Sequence, residues 1–189
     1  PVHGPLLHCG ETGTFDEHGV MASDLISHNN LIMLYYEGWN RSLSTPFRTA
    51  NGCAISRDGG SHFVKYSSGP IMDRSVYAPL SVATQCVLKE GPLWRCWYQS
   101  ITEWVPQEHT WEPRYHIRYI ESMDGYRWDQ NPTIAIDYQA EDEGGISRPS
   151  VKYINGKYHM WYCTRKIKHY REGKGHYTIG YAISADGIK

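Results

Sequence analysis

A four-residue word, Ser-x-Asp-Gly, recurs at almost constant spacing and constrains the fold more than any other feature of the sequence. Its copies begin at Ser56, Ser122 and Ser184, so that successive copies lie 66 and 62 residues apart. One copy alone is weak, because Ser, Asp and Gly suit many kinds of tight turn. Three copies at this period predict a supersecondary unit that is repeated along the chain.

The same order of apolar runs precedes each turn. In the second unit, "PLSVATQCVL" leads through Glu90-Gly91 to "LWRCWYQS" and then, after a long loop, to "YHIRYIES". The third unit has the strongest hairpin pattern, Asn155-Gly156. A fourth run follows the first two turns, and no segment has helical periodicity. Four strands per unit predict an all-β chain, a β-propeller built of four-stranded antiparallel blades.

The predicted blade units cover residues 14–73, 77–137 and 144–189, within one incomplete propeller domain. Three blades cannot close a ring, because propellers typically have about four to eight. The third unit also stops at Lys189, before an aromatic residue such as Phe63 or Trp128, which follow the earlier turns. We therefore expect a partial chain with about three of five blades. A small protein of three sheets is the alternative.

Composition excludes several classes of partner. The net charge is −1, and no apolar run approaches the roughly 20 residues of a membrane span, so neither nucleic acid nor membrane is expected. The five cysteines are odd in number and lack C-x-x-C spacing, which favours reduced thiols in a cytoplasmic protein over a zinc site. The 15 Tyr and 7 Trp suit sugar stacking, although strands favour aromatic residues anyway.

The segments "GTFDEHGVMASDLI", "NGCAISRDGGSHF" and "EGGISRPSVKYINGKYHMWYCT" resemble the five-bladed β-propeller glycosidase-like superfamily. That group includes arabinanases, β-xylosidases, invertase-type enzymes and mannoside phosphorylases. More narrowly, the chain resembles bacterial members that accompany polysaccharide-biosynthesis genes. The resemblance is more specific for the fold than for the activity, because one fold can support many different functions. Residues 56–63 also fit the sialidase Asp-box, which in that family is a structural turn remote from the catalytic centre.

The resemblance implies catalytic carboxylates where the innermost strand of each blade begins, at the mouth of a central channel. Glycoside cleavage needs two carboxyl groups that flank the scissile bond. By position, Asp16, Asp73 and Glu143 are the catalytic candidates, and solvated loop acids are the alternative interpretation of each. One departure weakens the hydrolase assignment: Arg148 and Pro149 follow a Ser, where the invertase branch has an Arg-Asp-Pro triplet.

Basic and aromatic residues near the same points are candidates for substrate binding: His18, Arg74, Tyr77, Trp104, Tyr115, His116 and Arg148. The guanidinium of Arg148 could hold a carboxylate or phosphate in a bidentate manner. Residues 101–118 are interpreted as a long loop whose aromatic rings form a sugar-stacking wall or pack onto their own blade. Glu37, at the end of a second strand, either reaches the channel mouth or caps the blade.

Three functions follow from the sequence. The first is a glycoside hydrolase or glycoside phosphorylase that uses paired carboxylates. The second is a non-catalytic carbohydrate-binding or polysaccharide-biosynthesis accessory propeller, and the third is a sialidase-like enzyme. The expected partner is a carbohydrate or glycoside. No cofactor is expected except an ion held loosely in the channel, because the histidine spacings match no compact metal motif.

Overall fold

The computed structural model describes residues 4–129 and 131–189, and the fold is all-β, as the sequence predicts. Its elements are β1 (Gly19–His28), β2 (Leu31–Asn40), β3 (Arg48–Ser56), β4 (Val64–Lys65), β5 (Ser81–Glu90), β6 (Leu93–Pro106), β7 (Trp111–Ser122), β8 (Thr133–Ile136), β9 (Glu143–Ile154), β10 (Lys157–Lys166) and β11 (Thr178–Ser184), with one short 3-10 helix, Tyr170–Glu172. No helix among the described residues is long and apolar enough to cross a membrane.

The strands form two sheets rather than three separate ones. The first is four-stranded and antiparallel, in the order β1-β2-β3-β4. The second has the order β11-β10-β9-β7-β6-β5, with β8 paired to β7. Its two halves are joined by a single parallel pairing, Tyr115 of β7 with Gly145 of β9. Because this pairing merges the second and third predicted blades, the division of the chain into three blades stays a prediction.

Gly145 allows β9 to approach β7 this closely. A Cβ atom on Gly145 would overlap the ring of Tyr115. We therefore expect Gly145→Ala to lower the free energy of unfolding by about 1–3 kcal/mol, the usual cost of overpacking a buried contact. Gly69→Ala is the matched control, because its Cβ would meet nothing closer than the Ser67 hydroxyl at 3.7 Å. Urea denaturation of both variants measures the effect, and equal stabilities would contradict it.

The predicted long loop over residues 101–118 is instead a β-hairpin. Strands β6 and β7 continue pairing out to Pro106 and Trp111, and only residues 107–110 form the turn. Successive side chains along both strands point to opposite faces of the sheet. Trp104, Tyr115 and His116 are therefore strand residues and not members of a long loop.

Two hydrophobic clusters hold the strand groups face to face. The first lies between the first sheet and the β5–β6–β7 strands, and it includes Tyr35, Trp94 and Tyr98. The second lies between those strands and β9–β10, and it includes Trp97 and Tyr158. Strand β6 supplies both clusters because successive side chains point to opposite faces. The middle strand group is thus covered on both faces, which explains why β5 is buried continuously from residue 81 to residue 87.

The three Ser-x-Asp-Gly segments all form tight turns after a strand. In the first, the Ser56 hydroxyl accepts a hydrogen bond from the Gly60 amide (2.8 Å) and donates one to Asp58 (2.8 Å). The corresponding turns after β7 and β11 repeat the bond from serine to aspartate, at 3.1 and 2.9 Å. In each turn a glycine adopts positive φ, which an L-residue rarely does. These bonds lie within each turn, so the three aspartates stabilise the local conformation of the chain.

Candidate functional site

Strand β5 contacts both β1 and β9 without pairing with either, and each of the three strands has a β-bulge. The regular pairing is interrupted between Ala22 and Asp24 in β1, between Ala83 and Gln85 in β5, and at Arg148 in β9. A bulge inserts a residue, bends its strand and re-aims the local side chain and amide. The bulges lie beside a polar cleft that β2, β6 and β7 also line.

Five charged side chains line this cleft. They are Glu37, Glu112, Arg148, Arg165 and Arg171. Aromatic rings complete the lining: Trp39, Phe47, Tyr115, Tyr170 and Tyr177. A concave site with a few polar groups and an aromatic wall is the usual form of a small-molecule or glycan site. We refer to it below as the inner-strand cleft.

Glu37 is a buried acid in the inner-strand cleft. It lies on β2 with 2% of its surface exposed, and its Oε2 accepts a hydrogen bond from the amide of Thr84 at 3.2 Å. That amide is available because Thr84 occupies the β5 bulge. Burial raises the pKa of Glu37 to about 7, and the Thr84 amide and the charge of Arg148 reduce the rise. Glu37 is therefore largely protonated below neutral pH.

Glu112 is the second acid of the cleft, and its surroundings differ. Burial raises its pKa, but hydrogen bonds from Arg171 (2.9 Å) and the Tyr170 hydroxyl (2.6 Å) outweigh burial and hold the pKa below the usual value. Glu112 stays ionised where Glu37 is protonated. Two carboxyl groups whose environments separate their pKa values are typical of an acid and base pair.

Glu37 makes the free energy of unfolding depend on pH, and this dependence has the opposite sign to that of most carboxylic acids in proteins. Its pKa is about 7 in the folded chain and about 4.5 in the unfolded chain, so the folded state binds more protons between these values. Stability should fall by about 3 kcal/mol as pH rises from 4.5 to above 7. Urea denaturation at several pH values, compared with Glu37→Gln, isolates this contribution. Identical pH slopes for the two proteins would contradict it.

Arg148 has an unusual backbone at the edge of the cleft. Its φ is +50°, a left-handed conformation that costs a non-glycine residue energy, and a proline follows it. The side chain is exposed, and its guanidinium contacts the sulfur of Met21 at 3.6 Å. The bulge and the positive φ aim this arginine into the cleft instead of along the strand.

Arg165 is a buried cation on the opposite wall. It is 2% exposed and donates hydrogen bonds to the Tyr115 hydroxyl (2.9 Å) and to the carbonyl of Pro113 (2.6 Å). Its guanidinium also lies over the ring of Tyr170, 4.0 Å from the centroid. The Tyr115 hydroxyl in turn contacts that of Tyr177. This network fixes the far wall of the cleft.

The predicted catalytic acids lie outside the inner-strand cleft. Asp16 is 1% exposed and pairs with Lys65 at 2.6 Å, and both line a separate open cleft near the N-terminal segment. Asp73 is exposed and accepts a hydrogen bond from the amide of Arg74 at 2.7 Å. Glu143 accepts from the amides of residues 139 and 140. Their catalytic roles stay predictions.

Of the predicted binding residues, Arg148 and Tyr115 line the inner-strand cleft. Trp104 packs its ring against Phe47, a lining residue, at 5.1 Å between centroids. His116 points to the other face of β7, where it contacts Asp137 at 3.0 Å and where burial lowers its pKa.

The other three predicted binding residues make local contacts outside the inner-strand cleft. His18 accepts a hydrogen bond from the Arg41 amide at 3.5 Å. Arg74 is exposed, and Tyr77 donates to Asn131 at 3.0 Å. A residue at the start of an inner strand therefore does not necessarily reach the cleft, because the bulges that border the cleft lie several residues further along these strands.

The sequence pattern indicates Glu37 only as one of two alternatives and gives no signal for Glu112, Arg165 or Arg171. Glu37 interrupts the apolar run "LIMLYYEGW" at a position that faces its neighbouring strands, which is the one signal that could have identified it. Arg165 lies near the end of β10 and Arg171 in the short 3-10 helix that follows it, and neither belongs to a recognisable motif. Among the described residues, no group of three or more His, Cys, Asp or Glu could hold a metal ion.

Comparison with known sequences gives relatives but no assigned family. No protein-family model matches the chain. An uncharacterised protein of Mycobacterium tuberculosis, present in two strains, is 33% identical over 184 residues. The match covers 97% of this chain and 58% of the relative, so the chain spans less than two thirds of the curated relatives that it matches.

Comparison with solved structures identifies the fold. A family-32 β-fructofuranosidase of Bombyx mori superposes with a TM-score of 0.68 and 17% identity, over 87% of this chain and 34% of that one. A thermostable family-43 glycoside hydrolase gives 0.70 and 19%, over 93% and 54%. A member of family 130, which contains mannoside phosphorylases and glycoside hydrolases, gives 0.67 and 17%, over 98% and 55%. The chain therefore shares its fold with these glycoside hydrolases over most of its length.

Proposed function

We propose that the protein cleaves a glycoside in the inner-strand cleft, with Glu37 as the proton donor and Glu112 as the ionised carboxylate. The observation that carries the proposal is the pair of acids in one cleft with opposite pKa shifts. The fold is that of glycoside hydrolases, and one similar structure, the Bombyx mori enzyme, was solved with sucrose. These likenesses support a carbohydrate-active site and leave the particular sugar open.

The chemistry of glycoside cleavage matches the two acids. The leaving oxygen must receive a proton, which Glu37 can donate because burial keeps it protonated near neutral pH. A second carboxylate must activate water or stabilise the positive charge that develops on the sugar, and Glu112 retains its charge through Arg171 and Tyr170. The rings of Tyr115 and Tyr177 would provide faces on which a sugar can stack.

Turnover of glycosides by the full-length protein tests this proposal. A panel of 4-nitrophenyl glycosides should yield at least one substrate, with and without inorganic phosphate to separate phosphorolysis from hydrolysis. Asp16→Asn, Asp73→Asn and Glu143→Gln in the same assay test the acids predicted from the sequence. Binding of a glycan without any turnover would contradict catalysis and favour a carbohydrate-binding accessory protein.

A further inference from the structure

The inner-strand cleft has an excess of positive charge. Its lining includes three guanidinium groups and two carboxyl groups, so its net charge is positive even when both acids are ionised. Of the three arginines, Arg171 has a carboxylate partner, Glu112 at 2.9 Å. Within the described parts of the chain, Arg148 and Arg165 have no carboxylate within 4.0 Å.

Arg165 costs more free energy to hold in the fold than Arg148, because Arg165 is buried and Arg148 is exposed. Removing a charge from water is unfavourable unless an opposite charge or several hydrogen bonds compensate. The partners of Arg165 are neutral: the Tyr115 hydroxyl, the carbonyls of Pro113 and Lys166, and the face of Tyr170. These groups satisfy its donors but carry no negative charge, and Glu112, the acid that Arg165 influences electrostatically, is already paired with Arg171.

Arg148 faces the same space from β9 and is free to move toward a ligand. Its backbone is held at positive φ within a bulge, and the contact of its guanidinium is with a thioether, which is a weak acceptor. A guanidinium presents a planar fork that matches the two oxygens of a carboxylate or phosphate. Strained backbone that presents an otherwise unpaired charged group is characteristic of ligand sites.

We infer that the sugar bound in the inner-strand cleft carries a negative charge, a carboxylate or a phosphate, and that Arg148 binds this group while Arg165 adds to the attraction. The inference rests on the proposed function only in placing a sugar there; the charge preference itself follows from the arginines. The substrate class is therefore an acidic glycoside, such as a uronide or a phosphosugar.

Binding measurements on matched pairs of sugars test the inference without requiring turnover. The pairs are methyl glucoside with methyl glucuronide, methyl galactoside with methyl galacturonide, and mannose with mannose 6-phosphate, titrated calorimetrically into the full-length protein. In at least one pair the charged member should bind at least about 10-fold more tightly, the usual value of one charge-assisted bidentate contact. Inorganic phosphate is titrated alone as a separate arm.

Variants of Arg148 assign the preference to the cleft. Arg148→Gln should reduce the ratio of charged to neutral binding about 10-fold, and Arg148→Lys, which keeps the charge without the fork, should lie between. Arg127→Gln is the matched control, because Arg127 is an exposed arginine in a turn outside the cleft. Denaturation curves verify that each variant is folded, and the lysine variant retains the test if the glutamine variant unfolds.

Three results would overturn the inference: no pair shows a preference, Arg148→Gln leaves the preference unchanged, or inorganic phosphate binds while charged sugars bind no better than neutral ones. The last would make the anion a free phosphate. A charge preference that depends on Arg148 in a protein without turnover would support the inference and contradict the proposed catalysis. The two proposals therefore fail separately.

Discussion

Glu37→Gln is expected to lower kcat about 10²- to 10⁴-fold on any glycoside that the full-length protein cleaves, the usual contribution of a general acid. The amide of glutamine preserves size and can still accept the Thr84 hydrogen bond, but it is far too weak an acid to transfer a proton to the leaving oxygen. Because Glu37 has a pKa of about 7, activity of the unmodified protein should also decline as pH rises through this value.

A comparison of leaving groups distinguishes proton donation from a structural effect. Substrates with acidic leaving groups such as 2,4-dinitrophenol need little protonation, so the variant should lose much less activity on them than on methyl glycosides. The groups that face Glu37 in the cleft include Thr84 and Arg148. Arg148→Gln should therefore raise the pH at which activity declines. An equal loss on all leaving groups would contradict the assignment.

Lys65→Met is expected to destabilise the protein by about 3–5 kcal/mol, because it leaves the carboxylate of Asp16 buried without its cation. The Asp16–Lys65 pair is 2.6 Å long, and Asp16 also accepts hydrogen bonds from Tyr36 (3.0 Å) and Thr14 (3.0 Å). These contacts join the segment before β1 to β2 and to the edge strand β4. We expect Asp16 to act first as a structural anchor.

Lys157→Met serves as the control, since Lys157 is an exposed lysine on a strand. This substitution should change the free energy of unfolding by no more than about 0.5 kcal/mol, as is usual for surface positions. Adding Asp16→Asn to Lys65→Met should recover part of the lost stability, because the double variant no longer buries an unpaired charge. A small effect of Lys65→Met in urea denaturation would show that the carboxylate is compensated by its hydroxyl partners.

The all-β fold was accessible from the sequence because its signals are local. Hairpins at Asn29-Asn30 and Asn155-Gly156 place residues in left-handed backbone, which these residue types tolerate well. Alternation along β6 placed Trp94, Cys96 and Tyr98 on one face, and all three are buried together. The joining of β7 to β9 depends on a single non-local contact at Gly145, which no repeat or turn pattern encodes.

The cleft was harder to predict because it depends on bulges and distant pairs. The sequence indicated Arg148 and Tyr115, which lie beside strand starts or in an aromatic-rich hairpin. It gave no means to see that Glu37 would become buried against Thr84, 47 residues away, or that Glu112 would pair with Arg171 from a loop of the next unit. Acids near the starts of inner strands were visible in the sequence, but the bulges place the cleft further along those strands.

The position of a bound sugar tests the central claim most directly, namely that the site lies in the inner-strand cleft. The measurement is a crystal structure of the full-length Glu37→Gln variant soaked with the glycoside that the unmodified protein cleaves fastest. We expect the sugar within hydrogen-bonding distance of residue 37 and Arg148, with a ring stacked on Tyr115 or Tyr177. A sugar seated instead in the open cleft above Asp16 and Lys65 would contradict the account.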